Sequence, residues 1–228
     1  METGKLFIVA TPIGNYQDIT LRALEVLKNV DAVICEEYRQ GSTLLKKLGL
    51  PQKELITLNE HNENEQTAEI INRLAQNQSF ALVSDCGTPV FADPGHYLIS
   101  QVSQFNFDVV PIPGPSSLMA ALSILDFKME QFVYGGFLPR VPAERRNQLQ
   151  KLRSVGIPVV LMDTPYRLDA LLEDIIKIFG ANQSITLAYN LTLNDEKIFR
   201  DSAAELRKKL QSRKGEYVLI IHSPKSNR

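Results

Sequence analysis

The segment VSDCGTPVFADPG, residues 83–95, combines three turn-forming signals with two aspartates directly after an apolar stretch. A Gly/Pro-rich loop after a strand often binds phosphate, but this one contains no lysine and carries Asp85 and Asp93. Carboxylates repel a polyphosphate, whereas they accept hydrogen bonds from hydroxyl and ammonium groups. The residues therefore favour a cationic or zwitterionic ligand with sugar hydroxyls, of which S-adenosylmethionine is one.

Four other loops of similar character follow apolar stretches, namely TPIGN, EEYRQ, NEHNE and PGPSS. In open α/β sheets, ligands bind outside the carboxyl ends of the strands. Five such loops after successive strands predict a shared cleft. Neither GxxxxGK(S/T) nor GxGxxG occurs in the chain, so the sequence lacks both the P-loop and the dinucleotide-binding fingerprint.

The elements that must position these loops alternate between strand and helix. From KLFIVA (5–10) to FDVVPI (107–112) the alternation repeats five times, which predicts a mainly parallel sheet. After SSLMAALSIL the strands FVYGGFLP, IPVVLMDTP, SITLAYN and YVLIIHS are separated by predicted helices at 143–154, 165–179 and 201–211, and LTLNDEKIFR predicts a hairpin region. The fold class is therefore α/β with two α/β domains, residues 1–113 with a mainly parallel sheet and residues 114–228 with a mixed one.

Composition is that of a globular protein, with 44% hydrophobic residues, 22% charged residues and a net charge of −1, so any nucleic-acid binding needs a local basic patch. No apolar run reaches the roughly 18 residues of a membrane span, and METGKLFIVATP lacks the pattern of a signal peptide. Cys35 and Cys86 lie in apolar strand-like contexts, so we expect two buried thiols and a cytoplasmic location. The three histidines lie far apart in the sequence, which predicts no metal site.

Four motifs occur in an order that is similar to the tetrapyrrole methylase superfamily: IVATPIGNYQDITLRALEVLKNVD, SDCGTPVFADPG, PIPGPSS and GGFLP. Within it they resemble the branch of 16S ribosomal RNA (cytidine-2′-O)-methyltransferases, over residues 6 to about 222. The resemblance implies a donor cleft for S-adenosylmethionine between two α/β domains, ribosomal RNA or the small ribosomal subunit as partner, and a homodimer. It implies donor contacts at Pro12, Gly14, Asp85, Gly87, Thr88, Ser116, Ser117, Met162, Ala188 and Leu191.

The chain departs from this branch on loops expected to face the acceptor. Residues 36–39 read E-E-Y-R where the branch has E-D-T-R, residues 163–167 read D-T-P-Y-R for E-x-P-H-R, and residues 189–193 read Y-N-L-T-L for R-E-L-T-K. The chain stops at YVLIIHSPKSNR, without the branch's further C-terminal segment. Two alternatives therefore stay open: a methyltransferase with a small-molecule, tetrapyrrole-like acceptor, or a non-catalytic paralogue that binds S-adenosylmethionine.

Methylation of a ribose hydroxyl is helped by a general base. The candidates for this base on acceptor-side loops are Glu36, Glu60 and His61. Arg39 is a candidate to orient Glu36 or to hold a phosphate. A structural salt bridge between Glu36 and Arg39 is, however, the commoner arrangement.

Some of these residues have a simpler structural interpretation. Asp93-Pro94-Gly95 could be only a turn that caps the next helix, and Ser116 and Ser117 could be only N-cap residues. For RNA, the basic stretch 139–153 and the clusters at 207–209 and 213–214 are candidate contacts, although such runs are more often solvated helix faces.

Overall fold

The computed structural model describes residues 4–91, 93–210 and 215–223. The chain divides into two compact units, Met1–Ser116 and Ser117–Arg228. This division lies within a few residues of the predicted boundary between residues 113 and 114. The cluster at 213–214 that we considered for RNA binding lies outside the described residues.

The first unit alternates five strands with four helices among its described residues. In chain order they are β1 (Lys5–Val9), α1 (Leu21–Asn29), β2 (Ala32–Cys35), α2 (Tyr38–Lys47), β3 (Glu54–Thr57), α3 (Glu63–Ala75), β4 (Phe80–Val83), α4 (His96–Gln104) and β5 (Asp108–Ile112). Local chemistry explains the start of α1, because the Thr20 hydroxyl accepts a hydrogen bond from the Ala23 amide at 3.1 Å.

The first sheet has the strand order β3-β2-β4-β1-β5, and every adjacent pair is parallel. Helices cover both faces, so the central strands β2 and β4 are buried along their whole length. Successive residues of β4 point to opposite faces: Phe80 and Leu82 pack with α3 and α4, while Ala81 and Val83 pack with α1 and α2. All five strands therefore end at one edge, where the unusual loops begin.

The second unit has a different element order. It comprises α5 (Ser117–Ser123), β6 (Val133–Gly136), α6 (Pro142–Val155), β7 (Val159–Asp163), α7 (Leu168–Phe179), β8 (Ser184–Tyr189), β9 (Lys197–Ser202), α8 (Ala203–Lys209) and β10 (Tyr217–Ile221). A short 3-10 turn at Pro165–Arg167 precedes α7, so the helix predicted from residue 165 begins as a tighter turn.

The second sheet is mixed, with the order β6-β7-β10-β8-β9. The β6–β7 pair is parallel, while β10 pairs antiparallel with β7 and β8, and β8 and β9 form a hairpin. Its two faces carry separate apolar clusters, one with α6, α7 and α8 and the other with α5. The predicted fold class, with a parallel first sheet and a mixed second sheet, is confirmed.

Candidate functional site

The loops that follow β1 and β4 are joined through Thr11, a residue that we did not predict. Thr11 is 1% exposed, and its amide donates to the Gly87 carbonyl at 2.8 Å. Its hydroxyl is 3.0 Å from the Ser84 carbonyl oxygen and 3.3 Å from that of Gly87. Because a buried hydroxyl needs a partner, these bonds fix one loop against the other. The only sequence signal was a threonine directly after a buried strand.

A cavity of about 140 Å³ opens beside this junction. It is lined by residues of the β1 loop, the first turns of α2 and the end of β4: Pro12, Ile13, Gly14, Tyr16, Gln40, Gly41, Leu44, Val83, Ser84, Asp85 and Cys86. Three predicted donor contacts, Pro12, Gly14 and Asp85, are thus brought together. Thr88 follows on the same loop and donates its hydroxyl to the Pro115 carbonyl at 3.2 Å.

Gly87 is required at its position for two reasons. Its φ of +82° lies in the left-handed region, and a Cβ there would be 3.1 Å from Cγ2 of Ile13. The absence of a side chain keeps the β4 loop in close contact with the β1 loop.

Five carboxylates surround this edge of the sheet, and they influence one another. The pKa of Asp85 is raised by burial and then by the charges of Glu37 and Asp93. The pKa of Glu36 is raised by burial and then by Asp85, Asp93, Glu37 and Glu60. This local negative potential repels anions and attracts a cationic ligand.

The two cysteines differ, which corrects the prediction of two buried thiols. Cys35 is buried at the end of β2, and burial, followed by the nearby Asp85 charge, raises its pKa to about 11. Cys86 is exposed, because it lies on the loop after β4 rather than in the strand, and its thiol is 3.4 Å from the Ile13 carbonyl oxygen. The expectation from the sequence was wrong for Cys86 because the apolar stretch ends at Val83.

The other catalytic candidates lie on exposed loops. Glu36 follows β2, and Arg39 lies in the first turn of α2, with no ion pair to any residue in the described ranges. Glu60 and His61 lie on the turn after β3 and are exposed. The negative charge of Glu60 contributes to the raised pKa of Glu36.

The turn after β3 is built by its asparagines. The Asn59 amide donates to Oδ1 of Asn62 at 2.8 Å, and the Asn62 side-chain amide donates to the Thr57 carbonyl at 3.0 Å. Asn62 therefore has a structural role, and it holds the neighbouring Glu60 and His61 at the carboxyl edge of the sheet.

The far end of the β4 loop is fixed by Glu63 of α3. Its carboxylate accepts hydrogen bonds from the amides of Gly95 and Tyr97 at 3.0 and 3.2 Å, which caps the start of α4. Gly95, the last residue of the Asp93-Pro94-Gly95 turn, is the N-cap residue of α4, and the carboxylate that accepts from the start of this helix belongs to Glu63. Within the loop, Val90 has a φ of +72°, a strained conformation for a β-branched residue that the surrounding contacts must maintain.

The remaining predicted donor contacts lie at the end of the first unit, at the start of the second unit and on the sheet of the second unit. Ser116 precedes α5, and Ser117 is its first residue. Met162 on β7 and Leu191 after β8 are half-buried, and both pack in the apolar cluster around α5. Ala188 on β8 is fully buried in the same cluster.

Much of the predicted basic patch is already paired within the second unit. Arg145 is 6% exposed and lies 2.7 Å from Asp174, so it is a buried structural residue. The cluster at 207–209 is paired with acidic residues of α7, α8 and β9. Arg140, which precedes α6, and Lys151, which lies on α6, are both exposed. Among the residues described, neither forms an ion pair.

Comparison with known proteins places this geometry in a family. Residues 5–207 match the family described as Tetrapyrrole (Corrin/Porphyrin) Methylases. The chain belongs to this family. The resemblance predicted from the four sequence motifs is therefore confirmed, and with it the prediction of a methyltransferase.

Relatives within the family share most of their length with this chain. Ribosomal RNA small subunit methyltransferase I of Escherichia coli O157:H7 is 37% identical over 227 residues, which are 98% of this chain and 79% of the relative. The protein of the same name from Pasteurella multocida (strain Pm70) is 39% identical, over 96% of this chain and 79% of its own. A crystal structure of diphthine synthase superposes with a TM-score of 0.75 at 17% identity, covering 96% of this chain and 89% of that one, which shows the fold.

Two further features of the described residues concern membranes and metals. None of the helices in the described part of the chain has the length and apolarity that a membrane span requires. Within residues 4–91, 93–210 and 215–223, no group of three or more histidine, cysteine, aspartate or glutamate residues is arranged to hold a metal ion.

Proposed function

We propose that the protein is an S-adenosylmethionine-dependent methyltransferase that methylates the 2′-hydroxyl of a cytidine ribose in small-subunit ribosomal RNA. The observation that carries this proposal is the match over nearly the whole chain to relatives named ribosomal RNA small subunit methyltransferase I. We further propose that it acts in the cytoplasm as a homodimer, as the family resemblance implies.

The residues around the cavity fit the methyl donor. Among the described residues that line it there is no lysine or arginine, while Asp85 offers a carboxylate to hydroxyl or ammonium groups. The close approach of the loops at Gly87 brings Pro12 and Gly14 to the same cavity as Asp85. When bound, S-adenosylmethionine supplies a methyl carbon that its sulfonium already activates for displacement.

The protein's own contribution is chiefly positioning, because alignment of two reactants removes a large part of a displacement barrier. Thr11 holds the two donor loops at a fixed separation. Glu36 is the proposed general base, since its raised pKa improves its ability to accept a proton from a ribose hydroxyl. Arg39, two helical positions into α2, is proposed to hold a phosphate of the RNA.

The direct test is methyl transfer to small ribosomal subunits that lack the modification. Purified protein, S-adenosylmethionine and subunits are incubated, and the digested RNA is analysed for 2′-O-methylcytidine by mass spectrometry. We expect the modified nucleoside with wild type and its loss in a Glu36→Gln variant. Methyl transfer to a tetrapyrrole but not to RNA would show that the acceptor is a tetrapyrrole. Donor binding without any methyl transfer would indicate a non-catalytic paralogue.

Donor binding is tested separately by calorimetric titration with S-adenosylmethionine. An Asp85→Asn variant should bind about tenfold more weakly or worse, because a hydrogen bond to a charged group contributes about 1.5–3 kcal/mol. Asp108→Asn is the matched control, since Asp108 lies at the amino end of β5 in an exposed pair with Lys5. Equal affinities of the two variants would contradict the assignment of the cavity to the donor.

A further inference from the structure

Two loops of the second unit leave the same edge of its sheet. Strands β6 and β7 are adjacent and parallel, with Gly136 beside Leu161, so both carboxyl ends lie together. The loop after β6 covers residues 137–141, and the loop after β7 covers residues 164–167. The first reads F-L-P-R-V and the second T-P-Y-R.

Two arginines bind three consecutive carbonyl groups of the first loop. Nη2 of Arg167 donates to the carbonyl oxygens of Leu138 and Pro139 at 2.8 and 2.7 Å. Nη1 of Arg145 donates to the carbonyl oxygen of Arg140 at 3.3 Å. A planar guanidinium with several fixed donors suits this bridging of a loop.

Both arginines are themselves held by buried aspartates. Arg167 lies 3.2 Å from Asp163, which is 2% exposed, and Arg145 lies 2.7 Å from Asp174, which is also 2% exposed. The loops therefore rest on two buried ion pairs rather than on surface contacts. Such support gives the loops a defined conformation.

The supported loops present aromatic rings and positive charge to solvent. Tyr166 is 79% exposed and Phe137 is 49% exposed. Arg140 is exposed on the same loop as Phe137. Large exposed rings on a supported backbone, with a cation on the same loop, are the features that bind single-stranded nucleic acid by base stacking and phosphate contacts.

We propose that Phe137, Arg140 and Tyr166 form a binding surface for an unpaired segment of the RNA substrate, which we call the β6–β7 surface. This inference rests on the proposed function, since it names the part of the second unit that holds the acceptor. Tyr166 and Phe137 stack on unpaired bases, while Arg140 contacts a phosphate. A protein partner fits less well, because Arg140, which forms no ion pair with any residue that the structure describes, matches the charge of RNA.

The test compares substitutions on this surface with matched substitutions elsewhere. Tyr166→Leu and Arg140→Gln are paired with Phe105→Leu and Lys177→Gln, two exposed positions outside the surface. The probes are a fluorescent single-stranded fragment of small-subunit ribosomal RNA and the assembled small subunit. Binding is followed by anisotropy at several salt concentrations, methyl transfer by nucleoside mass spectrometry, and S-adenosylmethionine affinity by calorimetry.

We expect Tyr166→Leu to weaken RNA binding by roughly tenfold, which is the range of one stacked base. Arg140→Gln should lower the slope of log affinity against log salt by about 0.7, the value for one phosphate contact on a single strand. Both variants should bind S-adenosylmethionine as wild type does. The two controls should keep wild-type affinity for RNA.

Three outcomes would overturn the proposal in distinguishable ways. If wild type transfers methyl groups to RNA and both surface variants keep its RNA affinity, the β6–β7 surface is wrong and the proposed function stands. If the variants lose affinity for the assembled subunit but not for naked RNA, the surface contacts ribosomal protein instead. If wild type neither binds nor methylates ribosomal RNA, the proposed function fails and the surface with it.

Discussion

The contact between the loops after β1 and β4 depends on the hydroxyl of Thr11, and removal of this hydroxyl gives a quantitative prediction. In a Thr11→Val variant the amide bond to Gly87 remains, while the bonds of the hydroxyl to the Ser84 and Gly87 carbonyls are lost. The side-chain shape is preserved, so the packing changes little. A buried carbonyl left without its partner costs about 1–3 kcal/mol, and we expect the free energy of unfolding to fall by that amount.

Thr67→Val is the matched control for this experiment. Thr67 on α3 is 2% exposed, and its hydroxyl has no hydrogen-bond partner among the described residues. Removal of an unsatisfied buried hydroxyl is neutral or stabilising, because no bond is lost and a desolvated polar group disappears. The same chemical change should therefore lower the free energy of unfolding at Thr11 and leave it unchanged or raise it at Thr67.

Urea unfolding followed by circular dichroism measures the stability of both variants, and calorimetry measures their affinity for S-adenosylmethionine. Thr11→Val should also bind the donor more weakly, because Ser84 and Gly87 flank Asp85 on the loop that Thr11 holds. Equal stability and equal donor affinity in Thr11→Val and Thr67→Val would refute the role of Thr11. A loss of stability with unchanged donor affinity would refute only its effect on the cavity.

Three further predictions follow from buried and perturbed groups. Asp174→Ala should destabilise the second unit by about 3–5 kcal/mol in urea unfolding, because it leaves Arg145 buried without a counter-charge; a loss below 1 kcal/mol would show that this pair is dispensable. Asp85 has a folded-state pKa above its unfolded value, so its contribution to stability is present below the unfolded pKa and is lost as pH rises through the folded pKa. Asp85→Asn should therefore make the protein more stable than wild type at neutral pH, an effect that should vanish below pH 3.8, the ordinary value for aspartate. Near pH 8, native protein should react with a thiol reagent at Cys86 and not at Cys35, because Cys35 is buried and has a pKa of about 11. S-adenosylmethionine should slow the reaction of Cys86, which lines the cavity. Rapid modification of Cys35 in the folded protein would contradict this assignment.

The sequence alone determined the family, the two α/β units and the edge of the first sheet at which the glycine- and proline-rich loops meet. Strand–helix alternation over residues 5–112 predicts a parallel sheet because parallel neighbours need a crossover, and a crossover of this length is usually helical. Parallel strands place their carboxyl ends at one edge, so loops far apart in the chain could be predicted to meet. The turn-forming residues of SDCGTPVFADPG were visible for the same reason, since glycine and proline act through local backbone geometry.

Only the tertiary structure decided which side chains act together. Thr11 is an unremarkable threonine in the sequence, and its importance comes from carbonyl groups 73 and 76 residues away. Arg145 and Arg140 belong to the same basic run, yet one is buried against Asp174 while the other is exposed. Residue type and spacing cannot separate two such arginines, because long-range packing determines burial and pairing, and these determine whether a charge supports the fold or faces a substrate.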